Sequence, residues 1–192
     1  MGKTSLHGMR YINQEGIRVP SVTTIISQTL GWNKNALLAW TKRMMLGGQD
    51  SDKVLNEAGD IGTLTHLLIE AHQQGFDVDT KDYSYNQEKA AMKAFAGYLQ
   101  WYKKVEFKAL KNELLLVNEE LQVGGTIDCI GRMGEDLVVV DWKTSKYLYA
   151  ENKLQLAAYT YIHQHVIKRE KLETGIEIFK ALVKVSQLKS QL

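Results

Sequence analysis

Residues Gly124–Lys146, with the sequence GGTIDCIGRMGEDLVVVDWKTSK, give the clearest indication of the fold. Two apolar runs flank Gly134 and Glu135, and a glycine at the first central position of a two-residue loop is typical of a type II′ hairpin turn. Counting outward from that turn along both strands places Asp128 directly opposite Asp141. The sequence therefore predicts an antiparallel hairpin that brings two carboxylates together.

Side-chain alternation adds an amine to this pair, because Lys143 lies on the same face as Asp141 while Trp142 lies on the other. Two facing carboxylates repel each other, and a divalent cation would offset that repulsion. Oxygen ligands at this density suit Mg²⁺ or Mn²⁺, which can polarise a phosphoryl oxygen and acidify a water. The alternative interpretation of Asp-X-Lys is an exposed ion pair at a strand end.

The rest of the chain reads as a helical region followed by strands and further helices. A short hairpin formed by residues 11–12 and 17–19 leads to Ser21, which is a typical helix N-cap. The spacing of hydrophobic residues, and glycines that are typical of helix ends, predict the remaining elements. The predicted helices cover residues 34–46, a segment from about 50, 62–72, 86–104 and 151–168, and the predicted strands cover 108–118, 121–132, 136–143 and 175–186.

Composition limits the class of protein. The chain has 192 residues, of which 44% are hydrophobic and 24% charged, as in one globular domain. The single cysteine, Cys129, excludes an internal disulfide and a four-cysteine iron–sulfur cluster. The sequence shows neither an apolar run that could cross a membrane nor a signal peptide, so we expect a cytoplasmic protein. The two ends are basic around an acidic middle, which suits a polyanion-binding protein that also holds carboxylates, although an ordinary mixed surface gives the same pattern.

Two predicted helices carry further polar residues at helical spacing. His66 and Glu70 share one face, and neighbouring leucines already supply the apolar stripe of that helix. Gln155 and Tyr159 are likewise four residues apart. A surface histidine and an ordinary amphipathic helix are the alternative interpretations.

Together these residues form an ordered series of motifs. The series is Gly62-Thr63-Leu64-Thr65-His66, Glu113, Gly125-Thr126-Ile127-Asp128, Asp141-Trp142-Lys143-Thr144 and Gln155-Leu156-Ala157-Ala158-Tyr159. It resembles the RecB-like branch of the PD-(D/E)XK nuclease superfamily, which includes phage-type, CRISPR-associated and mitochondrial genome-maintenance exonucleases. The resemblance implies a restriction-endonuclease-like α/β (α+β) core with a mixed or antiparallel central sheet flanked by helices. It also implies one nuclease domain over residues 1–192, with a mainly helical region at 1–105 that carries His66 and a catalytic core at 106–192.

The same resemblance implies roles for individual residues. His66, Asp128, Asp141 and the backbone carbonyl of Trp142 would bind Mg²⁺ or Mn²⁺, with no iron–sulfur cluster, and Lys143 would be the catalytic lysine beside the two aspartates. Site support or DNA contact is implied for Glu113, Gln155 and Tyr159. Candidate DNA-binding residues are Lys34, Lys42, Arg43, Lys146 and Lys153.

The expected activity is hydrolysis of phosphodiester bonds from the ends of single- or double-stranded DNA. The expected setting is recombination, repair or replication in a phage, mobile element or microbe, with a single-strand annealing or other recombination protein as a partner. The alternatives are an endonuclease or flap nuclease on the same core, and a DNA-binding module without catalysis.

Overall fold

A computed structural model describes residues 11–31, 34–163 and 173–189, which form five strands and six helices. In chain order the elements are β1 (Tyr11–Ile12), β2 (Arg18–Val19), α1 (Val22–Thr29), α2 (Lys34–Leu46), α3 (Ser51–Gln74), α4 (Tyr85–Tyr102), β3 (Phe107–Asn118), β4 (Val123–Met133), β5 (Asp136–Val140), α5 (Ala150–Ile162) and α6 (Glu173–Lys189). The mixture of helices with antiparallel sheets confirms the predicted fold class.

The described residues divide into two compact units. Gly31–Lys104 form a helical unit that contains α2, α3 and α4. The second unit, called the sheet unit here, joins the N-terminal residues 11–30 to the chain from Val105 onward. The N-terminal hairpin and α1 therefore belong with the sheet, and the single nuclease domain over residues 1–192 stays a prediction.

The sheet unit is built on an antiparallel sheet in the order β3-β4-β5. Met133 pairs with Asp136, and the ladder continues to Cys129 opposite Val140, which confirms the predicted hairpin and its register. Gly134 has a φ of 59°, as the first central residue of a type II′ turn requires. The prediction that the strand beginning at residue 136 extends to residue 143 is wrong, because β5 ends at Val140 and the Trp142 amide bonds to a side chain instead of a neighbouring strand.

One face of β4 packs against helices α1 and α5. A Cβ on Gly125 would lie 2.7 Å from the Tyr159 ring and 3.5 Å from Val22, so these side chains lie directly on the strand. Ile127 and Cys129 follow on the same face and are fully buried. Burial raises the pKa of the Cys129 thiol to about 12, so this group stays protonated at neutral pH.

The prediction of a final strand at residues 175–186 is wrong, since this segment lies within α6. The alternation of apolar residues wrongly indicates a strand with one buried face, because two of these residues, Ile178 and Val185, are 36% and 42% exposed. The buried residues are Ile176, Phe179, Leu182 and Val183, and their spacing of three to four residues is helical. Packing of this face against α1 and α5 therefore determines the secondary structure.

Other predicted elements agree with the structure, with shifted ends. The helix over 34–46 is confirmed, and the two helices predicted from residues 50 and 62 are one continuous helix, α3. The helix predicted at 86–104 is α4. The helix predicted at 151–168 begins as α5 at Ala150 and ends at Ile162, and residues 164–168 lie outside the described residues. In the described part of the chain, no helix has both the length and the apolar character needed to cross a membrane.

We expect Gly131→Ala to destabilise the protein by about 1–3 kcal/mol, which is typical of overpacking. A Cβ at this position would overlap the Phe107 ring and lie 2.7 Å from the Lys108 carbonyl oxygen, which is backbone and cannot move aside. Urea unfolding would measure the change. The control is Gly97→Ala in α4, where a Cβ meets nothing within 4 Å and alanine should stabilise the helix by about 0.5–1 kcal/mol. Equal effects of the two variants would contradict the packing argument.

Candidate metal centre and active site

A hydrogen bond joins the two predicted carboxylate segments. The backbone amide of Trp142 donates to Asp128 Oδ2 at 2.8 Å, so the chain leaving β5 stays beside Asp128 in β4. The Trp142 ring turns the other way and packs edge-on against Phe107, with ring centroids 6.4 Å apart and an interplanar angle of 87°. The segment that contains Asp141 and Lys143 is thus held next to Asp128 by backbone and ring together.

Asp141 lies in a network of one cation and one amide. Its Oδ2 is 2.6 Å from Lys143 Nζ, and both side chains are largely buried, at 7% exposure for Asp141 and 25% for Lys143. The Gln155 Nε2 donates to Asp141 Oδ1 at 3.1 Å and contacts the Tyr159 hydroxyl at 3.0 Å. Burial raises the pKa of the Tyr159 phenol above its usual range, so the hydroxyl stays neutral. Helix α5 therefore fixes the orientation of Asp141.

Glu113 is the third carboxylate at this place in the sheet unit. The pairs Asn112–Cys129 and Leu114–Ile127 flank it, so Glu113 lies opposite Asp128. Its φ is 48°, in the left-handed region, where a residue with a Cβ is strained by about 1–2 kcal/mol. A carboxylate oxygen of Glu113 and one of Asp128 lie within 4.8 Å of each other. Two acids are thus held close across neighbouring strands in a strained backbone conformation.

This donor set fits a divalent cation. Glu113 and Asp128 supply carboxylate oxygens within 4.8 Å of each other, which Mg²⁺ and Mn²⁺ prefer as ligands, and the Trp142 amide holds the segment that contains Asp141 beside Asp128. The carboxylates are half-buried, where their mutual repulsion is screened less than in bulk water. A bound cation would therefore relieve a repulsion that the fold itself creates.

The helical unit contains the other predicted ligand, His66. It lies in α3 and is half-buried, while Glu70 on the same helix accepts a hydrogen bond from Gln74 at 2.9 Å. The role of His66 as a ligand stays a prediction, as does the role of the Trp142 carbonyl.

The predicted DNA-binding residues lie in both units and are exposed. Lys34, Lys42 and Arg43 all belong to α2 in the helical unit. Lys146 and Lys153 belong to the sheet unit, where the Lys146 ammonium lies 5.6 Å from the centre of the Tyr147 ring. Their exposure leaves them accessible to a polyanion.

Two hydroxyl groups near Asp128 were missed by the sequence analysis. The Tyr11 hydroxyl lies 3.0 Å from Thr126 Oγ1, and Thr126 is two residues before Asp128 in β4. Alternation along β4 would have placed Thr126 on the face of Asp128. No sequence signal connects Tyr11 to this strand, because the contact spans 115 residues.

Comparison with known proteins places the chain in a family. The sequence matches the PD-(D/E)XK nuclease superfamily over residues 36–190, which is more than half of the chain. It is also 29% identical over 153 residues to mitochondrial genome maintenance exonuclease 1 of Xenopus tropicalis, an alignment that covers 73% of this chain. The chain spans about two fifths of the length of that relative, because the alignment covers 42% of it.

We expect Gln155→Ala to lower the free energy of unfolding by about 1–3 kcal/mol, because it removes a partner from the buried Tyr159 hydroxyl and from a carboxylate. Tyr159→Phe removes one side of the same network, so the double variant should lose less than the sum of the two single variants. Chemical denaturation would measure all three. The exposed Gln187, whose side chain donates to the Leu121 carbonyl at 3.3 Å, is the control. A loss no larger than that of Gln187→Ala would contradict the network.

Proposed function

The chain belongs to the PD-(D/E)XK nuclease superfamily, and we propose that it is a divalent-metal-dependent exonuclease that hydrolyses phosphodiester bonds from DNA ends. The observation that carries the proposal is the joining of Asp128 and the Asp141–Lys143 pair through the Trp142 amide. The similarity to a protein named as an exonuclease supports the mode of cleavage.

The two aspartates would hold the metal, with the Trp142 carbonyl as a further oxygen ligand. Asp128 is fixed by the Trp142 amide, and Asp141 is fixed by Gln155, so both carboxylates are oriented before a cation arrives. A cation bound there would polarise a phosphoryl oxygen of the scissile group and increase the acidity of an attacking water.

Lys143 would act on the reacting phosphate directly. Its ammonium pairs with Asp141 at 2.6 Å, so the positive charge is already at the site before DNA binds. A preorganised cation stabilises the charge that develops on the phosphoryl oxygens, and its N–H groups can orient the attacking water. Loss of the ammonium removes this stabilisation and leaves the carboxylates in place.

His66 and Glu113 would complete the ligand set. An imidazole nitrogen is an acceptable Mn²⁺ ligand beside carboxylates, and Glu113 already lies opposite Asp128. Gln155 and Tyr159 would keep Asp141 oriented, and either would also contact DNA that lies over α5.

The exposed cations would hold the DNA backbone. Lys34, Lys42 and Arg43 in α2, with Lys146 and Lys153 in the sheet unit, would neutralise phosphates without reading the sequence. Binding would therefore weaken strongly as salt rises. An enzyme of this kind would serve recombination, repair or replication in the cytoplasm of a microbe or a phage-infected cell, beside an annealing or other recombination protein.

Mn²⁺ and Mg²⁺ should raise the thermal unfolding temperature of the protein, because a cation that binds the folded state stabilises it. At 100 times the dissociation constant the gain is about 2.7 kcal/mol. Asp128→Asn and Asp141→Asn should abolish this shift, and His66→Ala should weaken it. The control is Asp136→Asn, an exposed acid at the turn of the same hairpin, which should retain the full shift. Equal shifts in the Asp128→Asn and Asp136→Asn proteins would contradict the metal centre.

The protein should degrade linear DNA but leave covalently closed circles intact in Mg²⁺ or Mn²⁺, and it should cleave neither in EDTA. Single- and double-stranded forms of both substrates, separated on gels, would measure this. Nicking of circles would indicate an endonuclease, and DNA binding without any product would indicate a binding module.

Lys143→Ala should reduce linear-DNA cleavage by at least about 100-fold, as loss of one preorganised charge-stabilising group does in other enzymes. DNA binding, measured by anisotropy of a labelled oligonucleotide, should change little, because one ammonium is a small part of the basic surface. Lys93→Ala, at an exposed lysine of α4 that is not among the proposed DNA contacts, is the control and should keep its turnover. Unchanged turnover in the Lys143→Ala protein would refute the catalytic role.

A further inference from the structure

We infer that the hydroxyl groups of Tyr11 and Thr126 form a second DNA contact, which binds a sugar–phosphate oxygen of the nucleotide next to the scissile one. The inference rests on the proposed nuclease function and adds a subsite to it. It arises from the 3.0 Å contact between the two hydroxyls and from their position on β4.

The position of Thr126 relates this pair to the catalytic carboxylates. Thr126 and Asp128 are alternate residues of one strand, so both project from the same face, separated by roughly 6.6 Å of strand. Successive phosphates along a nucleic-acid strand are separated by a comparable distance. A strand whose scissile phosphate lies at Asp128 can therefore place a neighbouring group at Thr126.

Tyr11 is held rigidly on the strand. A Cβ on Gly124 would overlap the Tyr11 ring, so the ring lies against the backbone where only glycine allows it. The hairpin that carries Tyr11 is attached to the same place, since the Gly124 amide donates to the Pro20 carbonyl at 2.9 Å and Asn13 Nδ2 donates to Gln122 Oε1 at 2.7 Å. With the ring in contact with the strand, the hydroxyl is the group that a ligand would meet.

The two hydroxyls together have one hydrogen more than their mutual hydrogen bond uses, and a ligand can accept it. Each hydroxyl has one hydrogen, and the bond between Tyr11 and Thr126 uses one of the two. The second hydrogen can be donated to an acceptor such as a phosphate or sugar oxygen. Tyrosine and threonine hydroxyls are among the groups that bind DNA phosphates.

Neutral donors suit this position better than cations do. Lys143 already places one ammonium at the carboxylates, and a hydroxyl beside Asp128 binds an anionic oxygen without adding a second cation that would compete with a metal ion. Tyr11 and Thr126 are both half-buried, so an added hydrogen bond there is partly protected from water. The pair would therefore position the DNA strand without disturbing the metal ligands.

Tyr11→Phe and Thr126→Val test the contact, since each keeps the shape of the side chain and removes only the hydroxyl. Each should raise KM for linear DNA about tenfold, the loss expected for one hydrogen bond to a charged group, with kcat within about twofold. The same variants should bind a labelled oligonucleotide in EDTA about tenfold more weakly. The double variant should bind more weakly than either single variant, because it alone removes both hydroxyl hydrogens.

The control is Glu119→Ala, which removes the carboxylate that accepts from the Gln14 amide at the hairpin turn and touches neither hydroxyl. It weakens one attachment of the hairpin, so it should lower the unfolding temperature slightly and leave KM unchanged. If the Tyr11–Thr126 bond only attaches the hairpin, Glu119→Ala will raise KM as Tyr11→Phe does. That result, or a KM and oligonucleotide affinity within twofold of wild type for either hydroxyl variant, would overturn the inference.

Failure of the nuclease proposal would look different. A wild-type protein that cleaves no DNA in any metal would refute the proposed function. The anisotropy measurement in EDTA would still decide whether the two hydroxyls bind DNA.

Discussion

The hydrogen bond from the Trp142 amide to the Asp128 carboxylate is the interaction on which the site depends. An amide in a continuing strand would donate to a carbonyl of the neighbouring strand, and Trp142 donates to a side chain instead. The ladder therefore ends at Val140, while the chain remains next to β4. As a result, Asp141 and Lys143 lie outside the strand, where Asp141 contacts both Gln155 and Lys143.

This arrangement carries an electrostatic cost. Glu113 and Asp128 bring two carboxylates within 4.8 Å of each other in a half-buried part of the sheet unit, Asp141 lies in the adjoining segment, and Glu113 has strained backbone geometry. Lys143 and Gln155 offset part of the cost through an ion pair and a hydrogen bond to Asp141. Backbone strain and repulsion between like charges are common at ligand-binding sites, because the bound ligand offsets their cost in free energy.

Short-range patterns predicted much of the fold. The Gly134 turn fixed the register that brings Asp128 toward Asp141, because both strands can be counted from one loop. The end of β5 could not be predicted this way, since it depends on a hydrogen bond from the Trp142 amide to the Asp128 carboxylate, 14 residues earlier in the chain. The strand predicted at 175–186 was wrong for a related reason. The apolar alternation of this segment is compatible with a strand, and only its packing against α1 and α5 makes it a helix. The left-handed backbone of Glu113 has no local signal either, because glutamate rarely adopts it.

Gly124 and Gly125 show how residues without functional groups can build a site. Consecutive side chains in a strand point to opposite faces, so the absence of a Cβ at both positions opens both faces of β4. Tyr11 occupies the space at Gly124, and Tyr159 occupies the space at Gly125. The first ring brings a hydroxyl to Thr126, and the second brings one to Gln155, which orients Asp141. Alanine at either position would displace a ring and, through it, a polar group near the carboxylates. The two glycines before Thr126 therefore belong to the site as much as the aspartate that follows it, because they set how closely the tyrosines approach the strand.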